Sequence, residues 1–249
     1  PYDAPQYYFD LYKDKDLRPP VKGDWDDTAM LEKRGMVFNS CTGPKDPELI
    51  RQQQIGYYAC ITHLDHQIGR IIQALIEHKL MDNTVILFTS DHGEMLSDHG
   101  WCRKALPYNG SARIPMFISG PERYIGPRGH TDDSLVELRD VMPTLLELAG
   151  TPIPAHLDGR SMLHPLDREY IHGEHTFAFN RWSSQFIVTR TDKFIWLNER
   201  NEEQYFDLVH DPDETHNAIH DPDKQERIAY LRNLLIQKLK DSEEGYSDG

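Results

Sequence analysis

Asp91 and His92 stand side by side at the end of a short apolar run, Val85-Ile86-Leu87-Phe88, with Thr89-Ser90 before them and Gly93 after. A buried strand that delivers a carboxylate and an imidazole at its carboxyl end is how open α/β sheets place active-site groups. The carboxylate supplies hard oxygen and the imidazole supplies nitrogen, so the pair suits a divalent cation. Lys104 lies twelve positions after His92 and offers a positive charge to an anionic substrate. Each residue also has a plainer use: a turn acid, a hydrogen-bonded imidazole, and a solvated lysine.

Other candidates are weaker. Ser-Asp-His-Gly occurs at 90–93 and again at 97–100, but only the first copy directly follows a strand. Asp98 and His99 therefore read as loop structure, with His99 retained as a candidate substrate contact. Glu174 and His175, beside Gly173 at a strand end, are further candidate substrate contacts. His63 and His66 share a helix face with Asp65 between them. Leu64 and Ile68 nearby favour packing of this face against the sheet over metal binding. No nucleophile is evident. There is no Gly-x-Ser-x-Gly elbow, and Cys102, between Trp101 and Arg103, has no general base beside it. Cys41-Thr42-Gly43-Pro44-Lys45 fails a Cys-x-Pro-x-Arg pattern by the place of its proline and by its lysine.

The elements that must position these residues follow from periodicity. Residues 1–46 are aromatic, charged and proline-containing, and read as a surface-wrapping region with a short helical candidate at Asp26–Arg34. Pro47-Glu48 opens the strongest helix, in which apolar residues recur at helical spacing up to Leu80. Strands are expected from Thr84 or Val85 to Phe88 and over Ile114–Ser119, then a helix over Leu135–Leu148 closed by Gly150. This rhythm is that of an α/β layer. After Thr151 the segments Glu169–His172, Gln185–Thr189, Phe194–Leu197 and Gln204–Leu208 read as short strands, with turns near Asp192-Lys193 and over Asn198–Glu203. An amphipathic helix from about Asp223 to Lys240 would cover that sheet. The division expected is 1–150 for the α/β part and 151–249 for a small antiparallel sheet with its helix.

The 249 residues suffice for a large core, and 38% are hydrophobic. A net charge of −14 disfavours nonspecific nucleic-acid binding, which needs a basic footprint. No apolar run approaches membrane-spanning length, so no membrane partner is expected. Three widely spaced cysteines argue against a disulfide framework. They lean towards a reducing compartment, but one disulfide would still be compatible with them, so bacterial cytoplasm and periplasm both stay open. A chain that opens at Pro1 reads as a piece of a longer one.

Several ordered motifs together resemble the sulfatase family of the alkaline phosphatase superfamily. They are Tyr57-Tyr58-Ala59, Asp65, Ile68-Gly69-Arg70, the run Asp82 to Gly93, and Arg113-Ile114-Pro115-Met116-Phe117-Ile118. Asp158-Gly159-Arg160-Ser161, Phe206-Asp207-Leu208, Asp211-Pro212-Asp213-Glu214 and Asn217 resemble later landmarks of that family. The resemblance implies part of an α/β/α sandwich plus a small C-terminal antiparallel sheet with a covering helix. It implies a metal-dependent sulfuric ester hydrolase of arylsulfatase type, acting on a small sulfate ester through a formylglycine made from Cys or Ser. Asp91 and His92 fall where the family has a pair of metal ligands, and Lys104 where a lysine contacts the transferred group. The metal is expected to be calcium, with manganese or magnesium as alternatives. The remaining ligands and the formylglycine have no counterpart here, so the chain is expected to be the C-terminal portion of such an enzyme, inactive alone. Its uncovered sheet edges would favour homo-oligomers. A phosphonate or phosphate ester hydrolase, or a non-catalytic binding module, are the rival readings.

Overall fold

A computed structural model describes residues 2–26, 40–175, 183–198 and 200–240. The helices are α1 (Gln6–Asp10), α2 (Pro47–Glu77), α3 (Asn109–Ala112), α4 (Glu122–Ile125), α5 (Val141–Leu148) and α6 (Gln225–Lys240). The strands are β1 (Ser40–Thr42), β2 (Ile86–Thr89), β3 (Trp101–Arg103), β4 (Met116–Ser119), β5 (Ile171–His175), β6 (Ser184–Val188), β7 (Asp192–Leu197) and β8 (Glu202–Asp207). The chain forms two compact units, and the division is not a single cut. The first takes 1–22, 26–104 and 114–128; the second takes 23–25, 105–113 and 129–249. Helix α5, which the sequence placed with the α/β part, thus belongs to the second unit. The helical candidate at Asp26–Arg34 lies almost wholly outside the described residues.

In the first unit, α2 starts where the sequence places it. Asp46 caps it, its Oδ1 accepting the Glu48 amide at 2.9 Å, and Pro47 occupies the first turn. Gly56 is needed for close approach, because a Cβ there would lie 3.0 Å from Tyr2 Cβ. The short helix α1 packs on α2. Tyr8 stacks near His63 at 4.8 Å and its hydroxyl meets His66 Nδ1 at 3.2 Å. The two histidines therefore pack against Tyr8, not the sheet, because α1 occupies their face. Strand β2 pairs antiparallel with β4, with Phe88 stacked on Phe117 at 4.9 Å. Ile61, Leu64, Ile71 and Ile76 on α2 stay 47–63% exposed, and Phe117 54%. No helix among the described residues is long and apolar enough to cross a membrane.

The second unit is built on the four-stranded antiparallel sheet β5-β6-β7-β8. Alternation along the strands sends Ile187, Phe194 and Tyr205 to one face, where Ile228, Leu231, Leu235 and Leu239 of α6 cover them. The opposite face carries Lys193 and Phe206, and residues 105–113 cover it: Lys193 Nζ donates to the Pro107 carbonyl at 2.9 Å and to Asn109 Oδ1 at 2.8 Å. Trp25 stacks on Tyr108 at 4.6 Å and lies 5.6 Å from Phe206. This second cover has no local signal in the sequence. The turn expected at Asp192-Lys193 or its neighbours falls on the neighbours, at 189–191, and Asp192 and Lys193 themselves are buried in β7. Their charges are met inside: Lys193 pairs with Glu214 at 2.5 Å, and Arg227 grips Asp192 through Nε at 2.7 Å and Nη2 at 3.0 Å.

The Asp158-Gly159-Arg160-Ser161 segment also has a local reason. A Cβ on Gly159 would sit 1.8 Å from the Arg139 carbonyl oxygen, so only glycine fits. Asp140, fully buried, accepts the Arg160 amide at 2.8 Å and a bidentate Arg168 guanidinium at 2.8 Å on each oxygen. Helix α5 starts later than the expected Leu135, at Val141, because Leu138–Asp140 forms a 3-10 turn closed by a Glu137–Asp140 capping box.

Two outcomes follow from these buried charges. Lys193→Met leaves Glu214 buried and unpaired, and is expected to cost about 3–5 kcal/mol in urea unfolding. Adding Glu214→Gln should recover part of that loss. Burial alone would raise the Asp192 carboxyl, but hydrogen bonds from Arg227 and Thr189 outweigh it and hold it below its ordinary value. A depressed carboxyl contributes stability that is complete above its unfolded value, near ~3.9, and lost as pH falls through the folded value. Unfolding free energy should therefore drop on acidification below about pH 4, and Asp192→Asn should make that drop shallower.

Candidate functional site

Strand β2 ends at Thr89, and the chain turns sharply through Ser90 to Gly93. Ser90 Oγ donates to the His92 carbonyl at 2.6 Å, and the His92 amide donates to Asp91 Oδ1 at 3.0 Å. Both bonds are made within the turn itself. His92 Nδ1 lies 2.8 Å from the Gly93 carbonyl oxygen. A carbonyl oxygen only accepts, so Nδ1 must carry the hydrogen, and in the neutral ring Nε2 keeps its lone pair. That lone pair lies 3.4 Å from Asp91 Oδ2, longer than a good hydrogen bond. The Asp91 side chain is 83% exposed and that of His92 39%.

The donor set fits a cation. Neighbouring donors at roughly 2.1–2.5 Å from an ion sit about 3.0–3.5 Å apart on its coordination polyhedron, and the doublet spans 3.4 Å. An imidazole whose far nitrogen is held by a carbonyl is the usual arrangement of a metal-binding histidine. Among the described residues no group of three or more His, Cys, Asp or Glu side chains converges on a metal position. The doublet therefore offers two ligands and no more.

Lys104 follows β3 directly, is half-buried, and makes no hydrogen bond or ion pair among the described residues. Its neighbour Arg103 adopts a left-handed φ of 70°, and Ala105 one of 69°. His99 is 3% exposed, with Nδ1 3.0 Å from Asp26 Oδ1 and its amide donating to the Val21 carbonyl at 2.8 Å. Asp98 accepts the Val21 amide at 2.8 Å. The second Ser-Asp-His-Gly thus anchors Val21 and Asp26, and His99 is an interior brace. Cys102 Sγ, also buried, is met by Gln53 Nε2 at 3.0 Å and by Ser97 Oγ at 3.6 Å, neither of them a base.

Glu174 and His175 lie in the second unit, on β5. Strand alternation sends them to opposite faces of the sheet. Glu174 shares its face with Gln185, whose Nε2 donates to it at 3.3 Å; Gln185 Oε1 also meets His172 Nε2 at 2.7 Å. His175 stands opposite Ser184 on the other face. One ligand cannot meet both side chains from the same side of this strand. A cavity of about 720 Å³ in the same unit is lined by Glu147, Ile153, Arg160 and His164 and includes none of the candidate residues.

Comparison with known proteins defines the class. The sulfatase family profile matches residues 4–151, and the profile described as N-sulphoglucosamine sulphohydrolase, C-terminal, matches residues 97–241. The chain belongs to the sulfatase family, a family of hydrolases. An arylsulfatase of Clostridium perfringens is 46% identical over the whole of this chain, which spans 53% of that protein's length. The phosphonate monoester hydrolase of Silicibacter pomeroyi superposes with a TM-score of 0.80 at 26% identity, covering 98% of this chain and 54% of that one. A protein solved with its substrate D-glucosamine-2-N,6-O-disulfate superposes at 0.67 with 26% identity, covering 78% of this chain and 41% of that one. The chain spans about half the length of these relatives.

The hydrogen-bond geometry makes one outcome specific. Nitrogen-detected NMR of neutral His92 should report a protonated Nδ1 and a bare Nε2. The opposite tautomer would break the Gly93 contact on which the fit rests.

Proposed function

We propose that the protein to which this chain belongs is a metal-dependent sulfuric ester hydrolase of arylsulfatase type. The observation that carries the reading is the Asp91–His92 doublet, with its donor atoms 3.4 Å apart at the end of a strand, in a chain 46% identical to an arylsulfatase throughout. Asp91 Oδ2 and His92 Nε2 would hold one side of a divalent cation. When bound, the cation supplies Lewis-acid polarisation of the ester oxygens. The Lys104 ammonium contacts the transferred group and offsets the charge that develops on its peripheral oxygens. The nucleophile, a formylglycine, and the other metal ligands come from outside this chain, which has no Cys-x-Pro-x-Arg sequence. Two ligands leave a cation underbound, so the chain alone holds metal weakly and turns over no ester. Calcium is the ion expected for the family, but an imidazole nitrogen is a softer donor than calcium prefers, which favours manganese at this site. A sulfated saccharide is a reasonable substrate class, given the disulfated glucosamine bound by one relative.

The similarity to a phosphonate monoester hydrolase at a TM-score of 0.80 supports a second reading, hydrolysis of phosphorus esters at the same site. Parallel assays of the complete protein separate the two. Turnover of an aryl sulfate should exceed that of an aryl phosphonate monoester, and a chelator should abolish both. Lys104→Ala should lower kcat by about 100–1,000-fold. Faster phosphonate turnover would favour the second reading. No turnover of either, with metal supplied, would leave a non-catalytic module.

A further inference from the structure

The loop from Asp91 to Lys104 carries the metal doublet at one end and the lysine at the other, fourteen residues in all. It folds back on itself as a narrow ribbon. The Met95 amide donates to the Arg103 carbonyl at 2.9 Å, and the Ser97 amide to the Trp101 carbonyl at 2.7 Å. In a regular antiparallel rung the Arg103 amide would return to the Met95 carbonyl. That carbonyl is taken by the Asp98 amide at 2.7 Å. The Glu94 carboxylate supplies the missing acceptor: its Oε1 accepts the Arg103 amide, and the Leu96 amide at 3.1 Å.

The bond matters because of what Arg103 is doing. Its φ of 70° lies in the left-handed region, as do those of Leu96 (49°), Ser97 (77°) and His99 (52°). Non-glycine residues persist there only when their surroundings over-determine them, at a cost of order 1–3 kcal/mol each. The helix side of the loop is occupied by Tyr2 and Gln53. The Glu94 charge lies near enough to the Tyr2 hydroxyl to raise its pKa, after burial itself, and Gln53 on the helix reaches Cys102 and Ser97. Tyr2 reaches that position because Gly56 leaves room for it on α2. The carboxylate thus joins a point two residues after His92 to a point one residue before Lys104.

We propose that Glu94 is the positioning residue of this site: its carboxylate locks Arg103 in the left-handed conformation and so fixes Lys104 relative to the Asp91–His92 doublet. The proposal rests on the site roles given above to Asp91, His92 and Lys104. It assigns Glu94 no contact with substrate or metal. Glutamine keeps an amide oxygen that can still accept from Arg103; alanine leaves nothing.

Glu94→Gln and Glu94→Ala in the complete protein test this by two independent readouts. Amide hydrogen exchange at Leu96 and Arg103 should speed up at least about tenfold in the alanine variant and stay near wild type in the glutamine variant. In turnover, Glu94→Ala should lose about 100-fold in kcat, the cost of displacing a reacting group by about 1 Å. Its KM should hardly change, and Glu94→Gln should retain most activity. Unchanged exchange at Arg103 in Glu94→Ala would overturn the proposal. So would a glutamine variant that keeps wild-type exchange yet loses as much kcat as alanine, since the carboxylate would then have a chemical role. If wild type turns over no ester, the functional reading fails, and the exchange comparison alone still decides whether Glu94 locks the loop. Should Glu94→Ala fail to fold, adding Arg103→Gly, which takes a left-handed φ without strain, should restore folding; no rescue would overturn the proposal.

Discussion

The Gly93 carbonyl claims the hydrogen on His92 Nδ1, and that one bond determines which nitrogen of the ring is available. With Nδ1 protonated, the lone pair of Nε2 lies beside Asp91 Oδ2. The carboxylate is tied by its other oxygen to the His92 amide. Oxygen and nitrogen therefore present themselves together, within the spacing that one cation spans. Both side chains are exposed enough to be reached, and the local turn holds them without a buried partner. The rest of the first unit serves this turn: β2 delivers it, β4 supports the strand, and the ribbon from 94 to 104 returns the chain to Lys104.

The second unit spends its buried charges differently. Asp140–Arg168, Asp192–Arg227 and Lys193–Glu214 are paired inside or near the interior, each with further hydrogen bonds. Such pairs contribute little net stability over a well-packed apolar core. They do make the arrangement specific, because moving any one element strands a charge. Lys193 and Glu214 together hold residues 107–109 against the sheet: the lysine binds the Pro107 carbonyl and the glutamate accepts the Asn109 amide at 2.7 Å. The Asp-Pro-Asp-Glu stretch that looked like a family landmark is thus, at Glu214, a structural anchor within its unit.

What the sequence disclosed was local and periodic. The long helix was legible from Pro47 and the spacing of its apolar residues, and the structure starts it at that proline. The strand ending in Asp91-His92 was legible because a short apolar run stops at two polar groups. The small sheet and α6 were legible in the β-branched and aromatic residues of β6 to β8 and in Ile228, Leu231 and Leu235. What stayed hidden depends on contacts between distant residues. That Asp192 and Lys193 lie inside β7 rather than in the turn beside it depends on partners, Arg227 and Glu214, that are 35 and 21 positions away. Residues 105–113 cover the sheet through contacts such as Lys193 to Pro107, 86 positions apart. Glu94 gave no sign of its role, since a carboxylate that replaces a missing backbone acceptor has no spacing signature. The repeated Ser-Asp-His-Gly separates in the structure: the second copy braces Val21 and Asp26, while the first follows β2 into the Asp91–His92 doublet.

Anomalous diffraction from crystals of the complete protein grown with manganese tests the shared two-donor site most directly. The account predicts one ion within ~2.5 Å of both an Asp91 carboxylate oxygen and His92 Nε2, with Nδ1 still on the Gly93 carbonyl. An ion bound without either residue, or held through His92 Nδ1, would contradict it.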